Sequence, residues 1–431
     1  MSPLIPMIFV LMSLLIIGSP VIFAIASAAL TYFLIAPGMM GRFYMYVHTF
    51  FTGMDSFVLL CIPLFILAGE IMKRSGMLSD LVNFTQIVVG RFKGGLAYVN
   101  VLASMLFGGI SGSGLADVSS LGPIEIAMMK EAGYSGAFSA ALTATSAIQG
   151  PIIPPSIPIV IFASVTGVSV GALFLAGAIP GILIGIGQMV MIFIICKRRN
   201  FPKSDVCYGF KKVVRVIASS FFALLMPIII VGGIIGGIFT PTEAAAVAVF
   251  YSLVISLTVY RKIKLKDIKE ILYNSIKVTS SVYLIIGFTG IISWIFAIEK
   301  VPSMITTFVT ASALSPYTLL FLVNLFLLFN GMWISDTAQL ILFAPLFTRI
   351  FTSMGINPVH FGIVFVVNVM IGMITPPYGM ALYLAAAIGK VELRKVVIET
   401  IPFTIVSILV LFLITYIPLI VLFLPKLFNL V

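Results

Sequence analysis

An all-α polytopic membrane protein is the fold class this sequence predicts, and three observations carry that reading. Of 431 residues, 61% are hydrophobic and only 9% charged, whereas soluble domains carry about 25% charged residues. Mean hydropathy is +1.22. The apolar residues fall in continuous Ile/Leu/Val/Phe/Ala runs, not in alternating ten-residue strands, which excludes a β-barrel and leaves helices to span the bilayer. A water-soluble enzyme could not cover its surface with so few polar side chains. The net charge of +11 reads as basic cytoplasmic loops, with no nucleic acid as partner. Three cysteines (Cys61, Cys196, Cys207) and two histidines (His48, His360) form no CxxC, HExxH or haem motif, so neither a disulfide scaffold nor a metalloenzyme is expected.

Taken in order, the N-terminal MSPLIPMIFV lacks a basic leader and a small-residue cleavage site, so 4–18 reads as a first span. Apolar runs at 20–36 and 56–72 follow. The runs at 95–108 and 136–165 are too short, or too broken by glycine and proline, to cross in one piece, since a span needs about 20 residues. After 171–196 comes the most hydrophilic stretch, 197–215, with Lys197, Arg198, Arg199, Lys203, Lys211, Lys212 and Arg215. The positive-inside rule places it in the cytoplasm. Spans at 216–238 and 242–260 return the chain to the same side, where Arg261, Lys262, Lys264, Lys266 and Lys269 lie. Runs at 277–298, 315–330, 357–387 and 400–424 complete the series. Thr240-Pro241-Thr242-Glu243 reads as a capping box, with Thr240 at the N-cap, Pro241 at N1 and Glu243 at N3. The glycines of 232–237 read as close helix packing.

The two halves repeat. A step of 222 carries Gly109 to Gly331, Ser113 to Ser335, Pro123 to Pro345, Gly150 to Gly372, and Pro154-Pro155 to Pro376-Pro377. A step of 221 carries Ser19-Pro20 to Thr240-Pro241. A nearly constant offset among the punctuating residues is an internal duplication. The domain reading is a first repeat over 1–196 (scaffold and arm helices about 1–90, hairpin and broken helix about 95–165), the basic connection 197–215, and a second repeat over 216–431. The second repeat divides into scaffold and arm (about 216–300), hairpin and broken helix (about 315–387) and a final span (about 400–424). If 216–238 starts in the cytoplasm while 4–18 starts outside, the repeats are inverted, which is an architecture of secondary transporters.

Two segments carry the chemistry in each half. Phe107-Gly-Gly-Ile-Ser-Gly-Ser-Gly-Leu-Ala-Asp117 and Asn330-Gly-Met-Trp-Ile-Ser-Asp-Thr337 read as tips of re-entrant hairpins, because irregular backbone at membrane depth needs protein or a wet cavity around it. Gly150-Pro-Ile-Ile-Pro-Pro-Ser156 and Gly372-Met-Ile-Thr-Pro-Pro-Tyr378 read as broken helices. Proline removes an N–H and frees a carbonyl one turn earlier, and freed carbonyls are hard ligands for a small cation. A single Pro-Pro pair would be a structural kink as readily as a site; its recurrence beside a hairpin tip favours a site. Asp117 and Asp336 are intramembrane acids, a functional placement by default, although Asp117 serves equally as a helix cap. No Lys or Arg occurs from Glu131 to Cys196, from Val301 to Thr348 or from Ile350 to Gly389. An anion would therefore be met by N–H groups, hydroxyls and bound cations, which favours a cation-coupled carrier over a basic pore.

GPIIPPSIP (150–158), IFTPTEAAAVAV (238–249) and GMITPP (372–377), in that order, resemble the large membrane subunit of the tripartite ATP-independent periplasmic (TRAP) transporters, the sialic acid branch among them. The resemblance runs over essentially the whole chain. It implies an elevator-type ion transporter fold in the inner (cell) membrane of a bacterium or archaeon, Na⁺ symport of an organic acid with at least two coupling ions and no organic cofactor, and no enzymatic activity. Its implied partners, besides the lipid bilayer, are a separate small four-helix membrane subunit and a periplasmic substrate-binding protein that delivers the acid. By position, one Na⁺ falls to Gly108, Ser113, Gly150, Ile153 and Pro155, and a second to Gly331, Gly372, Thr375 and Tyr378. Substrate falls to Ser111, Ser156 and Asp336. The lack of bases near both tips favours a polar monocarboxylate such as sialic acid over a C4-dicarboxylate. The competing readings are a stand-alone Na⁺/dicarboxylate symporter and an anion channel.

Overall fold

The computed structural model describes residues 2–199, 201, 209–301, 303–304, 307 and 315–431. Of the basic stretch expected at 197–215, Asn200 and residues 202–208 lie outside the described residues. Among those described, every regular element is helical, as the hydropathy requires. Among the described residues, five helices are long and apolar enough to cross a membrane, and Tyr44–Met54 with Phe57–Ser75, bent by 59°, has the length and composition for it as a pair.

The first repeat opens with α1 (Leu4–Ile16), α2 (Val21–Ile35), α3 (Tyr44–Met54), α4 (Cys61–Ser75) and α5 (Met77–Val89). Its hairpin is α6 (Gly95–Ser111) returning through α7 (Gly114–Ser120) and α8 (Gly122–Glu131). Its broken helix is α9 (Gly136–Ser146), an irregular stretch, and α10 (Ile157–Thr166), followed by the long α11 (Val170–Arg199). The second repeat runs α12 (Phe210–Ile235), α13 (Pro241–Ile255) and α14 (Leu265–Ile298). It continues with the hairpin α15 (Pro316–Gly331) and α16 (Asp336–Ser353), then the broken helix α17 (Pro358–Gly372) and α18 (Met380–Gly389). The chain ends on α19 (Leu393–Tyr416) and α20 (Pro418–Leu427).

Contacts between the halves are exchanged reciprocally. The return arm of the first hairpin, α7 and α8, packs on α18, while the return arm of the second, α16, packs on α10. Likewise α9 packs on α19, α17 packs on α11, and α11 and α19 pack on each other. Such swapped contacts are the mark of a two-fold relation. The hand of that relation is fixed by one ion pair. Arg199, the last residue of α11, donates from Nη1 to Glu399 Oε2 at 2.7 Å, in the second turn of α19. The end of one helix thus meets the beginning of its counterpart, so the equivalent helices are antiparallel and the repeat is inverted. Their basic ends, Lys197–Arg199 and Arg394–Lys395, then share one side, as the positive-inside rule demands.

Local chemistry sets the helix ends. Ser113, Ser135, Ser156, Thr240, Ser315, Ser335 and Asn357 each cap a helix N-terminus through the side chain, satisfying N–H groups that have no partner within the helix. The Thr240 box forms as expected: its N–H donates to Glu243 Oε2 at 2.7 Å, and its hydroxyl accepts from Glu243 N at 3.3 Å. Besides the return arms of the two hairpins, α3 and α5 lie outside the apolar runs read from the sequence. The run of α3, YMYVHTFFTGM, and that of α5, with Asp80, Asn83 and Gln86 inside, are diluted by aromatic and polar residues, because both pack on other helices of the protein. The span expected at 277–298 is the last part of the 34-residue α14. Of the 232–237 glycines, Gly233 packs against the Phe239 ring, no described heavy atom lies within 4 Å of a Cβ built on Gly232 or Gly237, and Gly237 turns the chain at φ +67°.

Candidate functional site

Each hairpin tip is held against the break of its own repeat by glycines that let two backbones meet. A Cβ on Gly150 would stand 3.1 Å from the Gly108 Cα and 3.8 Å from the Ser113 carbonyl oxygen. A Cβ on Gly331 would stand 3.0 Å from the Gly372 Cα. One backbone hydrogen bond ties each tip to its break: Ile157 N–H donates to Gly112 O at 3.2 Å, and Tyr378 N–H donates to Met332 O at 3.1 Å. Gly112 makes the first turn at φ +60°, where a Cβ would also lie 2.7 Å from Pro155 O. Only glycine fits that position.

The structure therefore gathers Gly108, Ser113, Gly150 and Pro155 at one crossing, and Gly331, Gly372 and Tyr378 at the other. Ile153 joins the first through its backbone, since its side chain packs on Gly181 of α11. The two crossings differ in free oxygen. The carbonyls of Gly150, Ile153 and Pro155 accept no hydrogen bond, whereas Gly372 O accepts from Thr375 N and Thr375 O from Gly379 N, each at 3.1 Å. The Thr375 hydroxyl donates back to Ile371 O at 2.8 Å. At the second crossing the carbonyls of Gly331, Ile374, Pro376 and Tyr378 accept no hydrogen bond from the described residues. Gly331, Tyr378, Gly372 and Asp336 border a cavity of about 10 Å³, the scale of one water molecule.

Between the crossings lies a cavity of about 390 Å³, within the size range of small-molecule sites. Ser111 and Ser113 reach it from the first tip, and Asp336 and Thr337 from the second. The far wall is Phe65, Gly69 and Glu70 of α4 and Val278 and Val282 of α14, so scaffold helices close one side. Among the described residues, no lysine or arginine lines it. Ser111 and Asp336 are thus brought together. Ser156 is not part of this lining: fully buried, its hydroxyl donates to Pro151 O and accepts from Ile159 N at 3.2 Å, so it caps α10. Asp336 follows the capping Ser335, which leaves its carboxylate to the cavity.

Glu70 is the residue that sequence reasoning missed. It is an acid inside an apolar run, the same signal that picked out Asp117 and Asp336. Lys73 Nζ is 3.8 Å from Glu70, and Arg74 pairs with Glu270 of α14. His360 is a packing residue, with Nε2 2.8 Å from Ile414 O.

Comparison with known proteins places the chain in a family. Residues 8–420 match the family described as tripartite ATP-independent periplasmic transporter, DctM component. The chain is 41% identical over 424 residues to the sialic acid TRAP transporter large permease protein SiaM of Vibrio cholerae, covering 98% of each chain. It is 37% identical over 400 residues to the C4-dicarboxylate TRAP transporter large permease protein DctM of Pseudomonas aeruginosa, covering 93% of each. Among solved structures, the YdaH transporter of Alcanivorax borkumensis, reported to have an unusual topology, superposes with a TM-score of 0.65 at 14% identity over 89% of this chain and 90% of that one, which speaks to the fold alone. A duplicated set of hairpins and broken helices around a base-free cavity, on a multi-pass inner-membrane chain, is the organic-acid transport subunit of such a system: the chain belongs to the DctM family, the large permease component of the tripartite ATP-independent periplasmic transporters.

Proposed function

We propose that this chain imports a hydroxyl-rich monocarboxylate of the sialic acid type, driven by Na⁺ bound at the two breaks, by an elevator movement of the hairpins and broken helices against the scaffold. The observation that carries the proposal is the cavity that joins Ser111 to Asp336 with no base on its wall. A doubly charged acid would face Asp336 with no lysine or arginine on the cavity wall to hold its second carboxylate. A monocarboxylate with several hydroxyls suits the site better, because its hydroxyls donate to Asp336 while serine and threonine hydroxyls serve its carboxylate. Na⁺ fits the first break through the carbonyls of Gly150, Ile153 and Pro155, and the second through Gly331, Gly372, Thr375 and Tyr378. Carbonyl oxygens of unwound helices are the usual ligands for a coupling ion in such carriers. The elevator reading rests on the cavity's two walls, one from the hairpins and one from α4 and α14, which would have to slide past each other. A small membrane subunit and a periplasmic binding protein are the partners the family implies.

The test is uptake into proteoliposomes holding this chain with its small subunit, with and without the cognate binding protein. Substrate entry should require an inward Na⁺ gradient and the binding protein, and should rise with inside-negative potential. Full uptake with choline in place of Na⁺ would overturn the coupling, and full uptake without the binding protein would favour a stand-alone symporter.

A further inference from the structure

Two carboxylates lie inside the first repeat with nothing on the wall to offset them. Asp117 of α7 is 1% exposed and Glu125 of α8 is 0% exposed. Neither oxygen of Asp117, nor Oε1 of Glu125, meets a described residue in full hydrogen-bond geometry, and the hydroxyls of Ser104 and Thr143 are the polar groups closest at hand. Glu125 Oε2 accepts from Asn100 Nδ2 at 2.7 Å, and the same amide donates to Thr143 Oγ1 at 2.7 Å. Ser146 donates to Asn100 Oδ1 at 2.8 Å, and Ser104, beside Asp117, donates to Ser146 at 3.0 Å. The Ser104–Ser146–Asn100 chain links the side of the cluster that holds Asp117 to Glu125.

No basic side chain offsets them. Helices α6, α7, α9 and α18, which pack around the pair, contain no lysine, arginine or histidine. On α8 itself, Lys130 is exposed and donates to Gly389 O at 3.3 Å. A bare charge in such a place costs far more than any single contact returns, and two like charges add to that cost.

The fold does not demand these acids. The step of 222 that relates the repeats takes Asp117 to Gln339, Glu125 to Phe347, Ser104 to Phe326 and Thr143 to Phe365. The second repeat builds the same hairpin with an amide and three aromatic rings. The acid pair is an addition confined to one half.

We propose that Asp117 and Glu125, with the hydroxyls of Ser104 and Thr143, form a binding site for a hard, oxygen-seeking metal cation, distinct from the two breaks. All its donors are oxygens, the ligand type of Na⁺ and Ca²⁺ and not of zinc or copper. It lies one helical turn from the first crossing, since Ser104 and Ser146 each precede Gly108 and Gly150 by four residues. It is carried by the hairpin and broken helix, so its ion would travel with them.

Thermal unfolding of the purified protein in detergent tests this, with choline, Na⁺ or Ca²⁺ as the chloride. The background variant is Gly150→Ala/Gly372→Ala, which disables the breaks. A rise in melting temperature with one of the two metals, lost when Asp117→Asn and Glu125→Gln are added, supports the site and identifies the ion. No rise with either metal, or a rise of equal size with and without the acids, overturns it. Should the combined variants fail to fold, wild-type crystals soaked in Tl⁺ or Tb³⁺ decide the question: an anomalous peak between Asp117 and Glu125 supports the site, and peaks only elsewhere overturn it. Failure of the Na⁺-driven import reading shows separately, as Na⁺-independent uptake.

Discussion

Gly331 and Gly372 touch through their main chains: a Cβ on Gly372 would stand 2.9 Å from the Gly331 Cα and 3.1 Å from its carbonyl oxygen. Neither residue has a positive φ, so glycine is required here by proximity and not by backbone angle. Gly372→Ala, and Gly150→Ala at the other crossing, should push tip and break apart and raise the Na⁺ concentration for half-maximal uptake at least about tenfold, the effect of ~1.4 kcal/mol. Gly232→Ala, with open space around it, should leave uptake unchanged. Normal Na⁺ dependence in both crossing variants would reduce the breaks to kinks.

Backbone ligation makes a different demand of side chains. The Thr375 hydroxyl is already spent on Ile371 O at 2.8 Å, so Thr375→Val should shift the half-maximal Na⁺ concentration only a few-fold. Ile153→Val, which trims a group packed on Gly181, should do the same. A large loss in Thr375→Val would assign the hydroxyl to the ion.

The serines should separate by role. Ser156→Ala removes a helix cap, worth about 1 kcal/mol, and should lower the melting temperature while leaving the KM for substrate near its wild-type value. Asp336→Asn, in the cavity, should raise KM by roughly 10- to 100-fold, the ~1–3 kcal/mol of a buried polar group left without its partner. Transport assays on variants matched for expression would read both, and the reverse pattern would relocate the site.

The sliding boundary can be locked. A Cβ on Gly69 of α4 would stand 3.8 Å from the Ser111 Cβ, the usual separation across a disulfide. Gly69→Cys with Ser111→Cys, oxidised in proteoliposomes, should therefore stop uptake, and a reductant should restore whatever activity the double variant has. Undiminished transport by fully oxidised protein would exclude movement of the first tip along α4.

Much of this was legible in the sequence because glycine and proline punctuate it. The step from Gly150 to Gly372 located both breaks, and Asp336 announced itself as an acid in an apolar neighbourhood. What stayed hidden was what depends on neighbours. Ser156 reads the same whether its hydroxyl faces a ligand or turns back to Pro151. The wall supplied by α4 and α14 could not be foreseen, since no local pattern says which distant helix closes a cavity. The different placement of free carbonyls at the two breaks was likewise invisible, because near-identical Pro-Pro motifs hide where each chain spends its hydrogen bonds.

The exchange of contacts between the halves also sets the order in which the protein can mature. Gly114 opens the return arm that packs on α18, yet Met380, the first residue of α18, is made 266 residues later. At ribosomal speeds of about 5–20 residues per second, the first hairpin waits on the order of tens of seconds for its cover. During that interval its glycines, serines and buried acids sit in a bilayer that offers them no partners. Biogenesis therefore needs either lipid-shielding help from the insertion machinery or a late entry of the hairpin, after the second half has been threaded.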